Sequence, residues 1–224
     1  VILGAGPAGV IAAETIRKHA PHDRIVIVGD EPEPPYSRMA IPYLLMGNVG
    51  EAGTHLRHDP THYAKLRITV QRGRLAAKVD IKARTVTLDD GSTLAYDALL
   101  LATGSRARRV EVPGADLPGI FTLRTAADVD AIRAEAHPGR RAVIIGGGYI
   151  GLEAAAVLRE LGLEVTVLEL ADRVMNRVVC EPVSRFFEAE HAHHGVRIAL
   201  RAGLAAFLGD TRVRAVRCSD GSEH

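Results

Sequence analysis

Two stretches of this sequence carry glycines at a spacing suited to holding a diphosphate: Gly4-Ala5-Gly6-Pro7-Ala8-Gly9 and Gly146-Gly147-Gly148-Tyr149-Ile150-Gly151. In such a G-x-G-x-x-G run the first glycine makes a tight turn, the second lets main chain approach a pyrophosphate, and the third lets a helix close on a strand. The phosphate oxygens then meet the unpaired N–H groups and the positive dipole end of that helix. A carboxylate roughly 20 or more residues further on is expected to accept from ribose hydroxyls. Asp30, with Glu31 beside it, and Glu169 stand at such distances.

This chemistry needs a strand before each glycine run and a helix after it, and the sequence supplies both twice. VILGAGPAGVIAAETIR, from Val1, and VIIGGGYIGLEAAAVLR, from Val143, run in step. Each opens on an apolar strand, turns on glycine, and continues as an Ala-rich stretch with apolar residues at helical spacing. A second β-rich strand follows in each: Ile25-Val26-Ile27-Val28, ending at Asp30, and Val165-Thr166-Val167-Leu168, ending at Glu169. A single glycine run arises at many strand-to-helix turns; two, each with its strand, helix and downstream acid, point to an α/β chain with two Rossmann-like βαβ units.

Between the units, Lys78 to Leu88 alternates, and Asp89-Asp90-Gly91-Ser92 is a turn before another short strand, which predicts a small β-meander. Val112-Pro113-Gly114-Ala115-Asp116-Leu117-Pro118-Gly119, dense in helix breakers, reads as the joint, giving domains 1–119 and 120–224. The chain opens inside a strand and stops in a turn-like segment, Cys218 to His224. Both ends therefore read as trimmed, with the last strand of the second domain missing.

Bulk properties narrow the ligands. A net charge of +1 over 224 residues gives no field for a polyanion, which argues against nucleic acid. The two cysteines, Cys180 and Cys218, fit neither a CxxC pair nor a zinc spacing, so a reducing compartment, the cytoplasm, is expected. No apolar run is long enough to span a bilayer and no targeting signal is seen.

In order, and over essentially the whole chain, these motifs resemble the pyridine nucleotide-disulfide oxidoreductase superfamily. The resemblance implies that Gly4, Gly6, Pro7, Ala8 and Gly9, with Asp30 and Glu31, hold FAD. It implies likewise that Gly146, Gly148, Tyr149, Ile150 and Gly151, with Glu169, hold NADH or NADPH. Tyr96-Asp97-Ala98-Leu99-Leu100-Leu101-Ala102-Thr103-Gly104 is similar to the segment that returns the family's chain to its FAD domain, which brings Thr103 and Gly104 to that cofactor. Val28 to Arg38 looks like the ferredoxin, rubredoxin and nitrite reductase branch, whose matching arginine lies near the flavin; Arg38 takes that part. Glu153, in the Gly-x-x-Gly-x-Glu extension of the second run, takes the part of the glutamate that orients the nicotinamide at the flavin. The competing reading is an acid decorating the first turn of a helix. Relatives often pair this glutamate with a lysine, where this chain has Tyr43.

Disulfide reductases of the superfamily need a cysteine pair, and peroxidase-like members one cysteine, a few tens of residues past the first glycine run. Tyr36 to Leu44 offers no thiol, so electrons should leave the flavin directly for an external acceptor: a small iron-sulfur protein, a quinone, oxygen or a partner domain. The expected activity is hydride transfer from NADH or NADPH to FAD and on to that acceptor. The alternative is a non-catalytic flavoprotein that senses redox state through the same two sites. Glu169 favours NADH, since a carboxylate accepts from a 2′-hydroxyl and repels a 2′-phosphate; Arg173 and Arg177 are the nearby side chains that could serve a phosphate, though arginines on a polar loop are more often solvated. An oligomer is possible.

Three further signals are read as structural. His191, His193 and His194 precede Gly195 at a helix C-terminus, where cations suit the dipole, and are not expected to bind a metal. His55, His58 and His62 are expected on the surface. Gly209-Asp210 reads as a hairpin turn, with Thr211 to Val216 alternating as the strand after it.

Overall fold

The structure, a computed structural model, describes all 224 residues, Val1–His224. Two units emerge: Val1–Ala40 with Val49–Arg106, and Ile41–Asn48 with Ala107–His224. No helix is long and apolar enough to cross a membrane.

In the first unit, strands β1 (Ile2–Leu3) and β2 (Ile25–Val28) are joined by helix α1 (Pro7–His19). They pair in parallel, Ile2 opposite Ile27 and Leu3 opposite Val28. Proline in the first turn of α1 costs no hydrogen bond, because that N–H has no helical partner, and Arg17, Lys18 and His19 suit its C-terminal end. Helix α2 (Ile41–Met46) falls in the second unit; α3 (Glu51–Thr54), α4 (His62–Lys65) and β3 (Ile68–Gln71) continue the first. The antiparallel meander β4 (Ala76–Asp80), β5 (Thr85–Leu88) and β6 (Thr93–Ala95) follows, and β7 (Leu100–Leu101) returns to the sheet, whose order is β3-β2-β1-β7.

The apolar character of β1 and β2 on every residue has a two-sided cause. Ile2, Ile25 and Ile27 pack with Val10 and Ala13 of α1. Leu3, Val26 and Val28 face the other way, onto Val86 and Leu88 of the meander. Because strand side chains alternate, a strand covered on both faces has no polar side to show. Each such side chain taken out of water contributes about 1.5–3 kcal/mol.

The second unit repeats the plan. After α5 (Ala126–Arg133), closed by a capping box between Thr125 and Asp128, come β8 (Arg141–Ile145), α6 (Tyr149–Glu160), β9 (Glu164–Glu169), α7 (Glu181–His193) and β10 (Arg197–Leu200), with sheet order β10-β9-β8. Ala155 and Leu158 of α6 cover Val165 and Val167 on one face. On the other, the ribbon of β11 (Leu204–Leu208) and β12 (Ala215–Cys218) buries Phe207 and Val216 beside Leu168. The repetition reaches single side chains. Arg17 in the last turn of α1 donates to the carbonyls of Leu66, Ala20 and Arg67 at 2.7, 3.1 and 3.0 Å. Arg159, at the same place in α6, donates to His194 and Leu163, both at 3.0 Å.

Three expectations change. The units divide at Arg106 and Ala107 rather than at Gly119, because Val112, Ala115 and Leu117 pack into the core of the second unit and Phe207 N–H donates to Pro113 O at 2.9 Å. The strand after Gly209-Asp210 begins at Ala215, so the hairpin has a longer loop than expected. Nor are all three of His55, His58 and His62 on the surface: the His62 ring donates from Nε2 to the Glu14 carboxylate at 2.8 Å, and the His55 side chain is only 19% exposed. The helix ending at His191 and His193, with Gly195 at φ +83°, is as expected.

Candidate functional site

Each glycine run sits where the sheet's carboxyl edge meets a helix N-terminus. In the first, Gly4 has φ +115° and its N–H donates to Val28 O at 2.7 Å; in the second, Gly146 has φ +103° and donates to Leu168 O at 2.8 Å. L-residues with a side chain rarely adopt such φ values. A Cβ on Gly9 would lie 2.0 Å from Gly4 O, and one on Gly151 2.0 Å from Gly146 O, so both helices close on their turns only because those residues lack a side chain.

The middle glycines behave differently. A Cβ built on Gly6 or Gly148 meets nothing within 4 Å. They are the N-caps of α1 and α6, at φ, ψ of −78°, −176° and −83°, −174°, and neither helix has a side-chain cap. The first-turn N–H groups, of Ala8 and Gly9 in one unit and of Tyr149, Ile150 and Gly151 in the other, lack intrahelical acceptors. Open space in front of uncapped amides fits a pyrophosphate in both units.

The carboxylates are held by different means. Glu169 Oε2 accepts from Gly147 N–H at 2.7 Å and Oε1 from Ala171 N–H at 2.8 Å, which fastens the acid directly to its glycine loop. Strand register shows that the first unit has no counterpart at that position. Leu3 pairs with Val28 as Ile145 pairs with Leu168, so the residue matching Glu169 is Gly29. The expectation that both second strands finish on an acid is therefore corrected: β2 ends at Val28, and Asp30 lies one register position beyond the place Glu169 holds. The reason is steric. Ala5 occupies the place of Gly147, and a Cβ on Gly29 would lie 2.7 Å from Ala5 Cβ.

Asp30 is exposed. Glu31 is instead engaged: Tyr36 Oη donates to its Oε2 at 2.5 Å and Arg38 Nη2 to its Oε1. The other end of the first crevice is closed by the segment after β7. Ala102 N–H donates to Leu3 O at 2.7 Å, and Ala102 O lies 2.1 Å from where a Cβ on Gly4 would be. Thr103 N is 3.1 Å from the same point, so Thr103 comes against the glycine turn, and Gly104 follows it at φ +67°.

Glu153 lies one residue past the first turn of α6, exposed; that turn holds no acid, so Glu153 does not cap it. Arg173 is neither a solvated loop arginine nor free for a phosphate. Its guanidinium donates to Val179 O, Asn176 O and Ser184 Oγ at 2.9, 2.8 and 2.7 Å, pinning the loop before α7. Arg177 is exposed and lines a cavity of about 880 Å³ with Gly146, Glu169, Leu170 and Gly203. Tyr43 lies on α2, exposed.

Sequence reasoning missed four participants. Gly147 leaves room for the Glu169 carboxylate, and Ala5 and Gly29 exchange that arrangement for a small-residue contact; their offset was countable in the sequence only with the strand register in hand. Tyr36 holds Glu31 and Arg38 through a loop that no local pattern specifies.

The family described as pyridine nucleotide-disulphide oxidoreductase matches residues 1–224. The chain is 40% identical over 225 residues to a chlorobenzene dioxygenase ferredoxin reductase component from Cupriavidus sp. (strain PS12), covering 98% of this chain and 53% of that protein. It is 42% identical over 221 residues to the biphenyl dioxygenase system ferredoxin–NAD(+) reductase component of Paraburkholderia xenovorans (strain LB400), covering 98% and 54%. Among solved structures, the reductase of a covalent putidaredoxin reductase–putidaredoxin complex superposes with a TM-score of 0.93 at 36% identity, over 99% of this chain and 55% of that one. The chain thus spans about half the length of the curated relatives it matches.

Proposed function

Because the chain belongs to the pyridine nucleotide-disulphide oxidoreductase family, we propose that it is the dinucleotide-handling part of an FAD-dependent reductase. On this reading NADH is the hydride donor and a small iron-sulfur protein the electron acceptor. The observation that carries it is the doubling: two glycine loops with the same φ pattern, each opening on an uncapped helix N-terminus. The ferredoxin reductase components among its relatives support the acceptor.

In this reading the first unit is the FAD domain. Gly4, Gly6, Pro7, Ala8 and Gly9 hold the pyrophosphate through main-chain amides, Asp30 and Glu31 take the ribose side, and Thr103, Gly104 and Arg38 complete the site. The second unit is the nicotinamide dinucleotide domain, with Gly146, Gly148, Tyr149, Ile150 and Gly151 as its cradle. Glu169 keeps lone pairs on both oxygens for ribose hydroxyls while its two backbone partners hold it still, and a 2′-phosphate would meet that fixed charge. NADH is therefore preferred, with Arg177 the one nearby cation of the two expected that is not committed to the loop. Bound FAD would supply the flavin that takes the hydride and releases electrons. Glu153 orients the nicotinamide. Cys180 and Cys218 both lie in the second unit, outside the stretch where the family places its redox thiols.

Anaerobic addition of NADH to the full-length flavoprotein should bleach its oxidised-flavin absorbance, and subsequent addition of an oxidised iron-sulfur protein should restore it. A spectrum unmoved by NADH contradicts the proposal.

A further inference from the structure

The carboxylate of Glu31 is held by a closed triangle. Tyr36 is only 6% exposed; its hydroxyl donates to Glu31 Oε2 at 2.5 Å and accepts from Arg38 Nη1 at 3.0 Å. Arg38 Nη2 donates to Glu31 Oε1, and the guanidinium carbon stands 5.4 Å from the Tyr36 ring centroid. The ring has a fixed base. Tyr36 bridges antiparallel to His55, Ser37 N–H donates to Thr54 O, and Leu56 N–H donates to Pro35 O, both at 2.9 Å. Glu31 belongs to the connection after β2, where its own carbonyl accepts from Gly73 N–H at 2.9 Å, so a braced aromatic reaches across to a loop glutamate.

We propose that Tyr36 is the positioning residue of the first crevice: its buried hydroxyl presets the Glu31 carboxylate for the adenosine ribose of the cofactor. In the second crevice Gly147 N–H presets Glu169. The inference rests on the proposed FAD reading. A glutamate side chain loses much rotamer freedom when it is fixed, and a carboxylate fixed before the ligand arrives removes that cost from binding. Each oxygen of Glu31 spends one lone pair on Tyr36 or Arg38 and keeps another. Two acceptors side by side suit the two neighbouring hydroxyls of a ribose. Asp30, exposed and outside this triangle, has no such preset geometry.

The test uses the full-length protein with its flavin removed, titrated with FAD and with an FAD analogue lacking the adenosine 2′-hydroxyl. Glu31→Gln should weaken FAD binding about thirtyfold and Tyr36→Phe about tenfold, the range expected when a hydrogen bond to a charged group is lost. Both variants should lose most of the wild-type discrimination between FAD and the deoxy analogue. The double variant should bind no more weakly than Glu31→Gln alone, because residues acting through one another do not add. 4-Aminophenylalanine installed at position 36 keeps a donor on the same ring and should restore affinity; it also decides the matter should the phenylalanine variant fold poorly. If Glu31→Gln leaves FAD affinity unchanged, the reading of this crevice fails. If Glu31→Gln weakens binding while Tyr36→Phe does not, or if the two effects multiply, positioning by Tyr36 is overturned and the reading stands.

Discussion

In the first unit β1 lies between β2 and β7, and the Ala102-Thr103-Gly104 segment is folded over its glycine turn; in the second, within residues 1–224, β8 pairs with β9 alone and nothing stands within 4 Å of a Cβ on Gly146. The two loops nevertheless share φ values, helix caps and the close approach of the third glycine to the first. Main-chain geometry toward the phosphates is thus duplicated, whereas the means of holding a carboxylate is not. One unit pairs Gly147 with Glu169; the other pairs Ala5 with Gly29 and recruits Glu31 through Tyr36 and Arg38. A diphosphate cradle needs only backbone, so its conformation recurs while its side chains differ, Ala5 against Gly147 and Pro7 against Tyr149, and an acid can be brought to a ribose by any neighbour that holds it in place.

The largest expected effect exploits the segment after β7, which closes on the first loop. Gly4→Ala places a Cβ 2.1 Å from Ala102 O as well as in a left-handed conformation, whereas within residues 1–224 Gly146→Ala meets only the conformational penalty. That penalty is about 1–2 kcal/mol, and the added clash should bring Gly4→Ala to about 4 kcal/mol or more. Urea unfolding of the two variants of this 224-residue chain should separate them; equal losses would mean that the segment after β7 does not close on the first loop.

Next comes the fastened acid. Glu169→Ala removes the acceptor of two backbone amides, and the KM for NADH should rise about thirtyfold, with FAD content unchanged and the preference over NADPH reduced. An unchanged KM with a lower kcat would assign Glu169 to a later step. A smaller effect should come from Gly29→Ala, whose Cβ would lie 2.7 Å from Ala5 Cβ. It should weaken FAD binding about tenfold through the displaced loop, and Ala5→Gly in the same protein should restore most of it, since the pair are neighbours and their effects couple. No rescue would break the proposed exchange between the Ala5–Gly29 and Gly147–Glu169 arrangements.

The smallest effect distinguishes the two helices. Glu14 on α1 is held by Arg57 at 2.5 Å and His62 at 2.8 Å, whereas the same place in α6 is Ala156. Burial pushes the Glu14 carboxyl up, but hydrogen bonds from Arg57 and His62 outweigh it and leave the group below its ordinary value. A carboxyl whose folded value is lowered stabilises the fold above its unfolded value, near 4.5, and that contribution is lost as pH falls through the folded value. Glu14→Gln should therefore cost about 1 kcal/mol at pH 7, with the difference from wild type closing below about pH 4.5 in urea titrations.

The duplicated units, the meander and the hairpin were legible in the sequence because each rests on local rules: glycine turns, period-2 strands and helical spacing within a dozen residues. What was not legible depends on distance along the chain. His62 reaches Glu14 across 48 positions. The Pro- and Gly-rich stretch from Val112 to Gly119 looks like a linker until Phe207 packs on it. The one-residue offset between Asp30 and Glu169 appears only once β1 and β8 are laid in register with their partners. Arg173, four residues past Glu169, has the charge for a phosphate but spends it on Val179, Asn176 and Ser184.

The most direct test of two separate cradles counts ligands on the full-length protein carrying Gly9→Ala or Gly151→Ala, with folding checked by circular dichroism. A Cβ at either site would lie 2.0 Å from a carbonyl oxygen. Gly9→Ala should lose FAD and still bind ADP-ribose, and Gly151→Ala should keep FAD and lose ADP-ribose. Loss of both ligands, or of neither, in a folded variant would contradict the assignment of one dinucleotide to each unit.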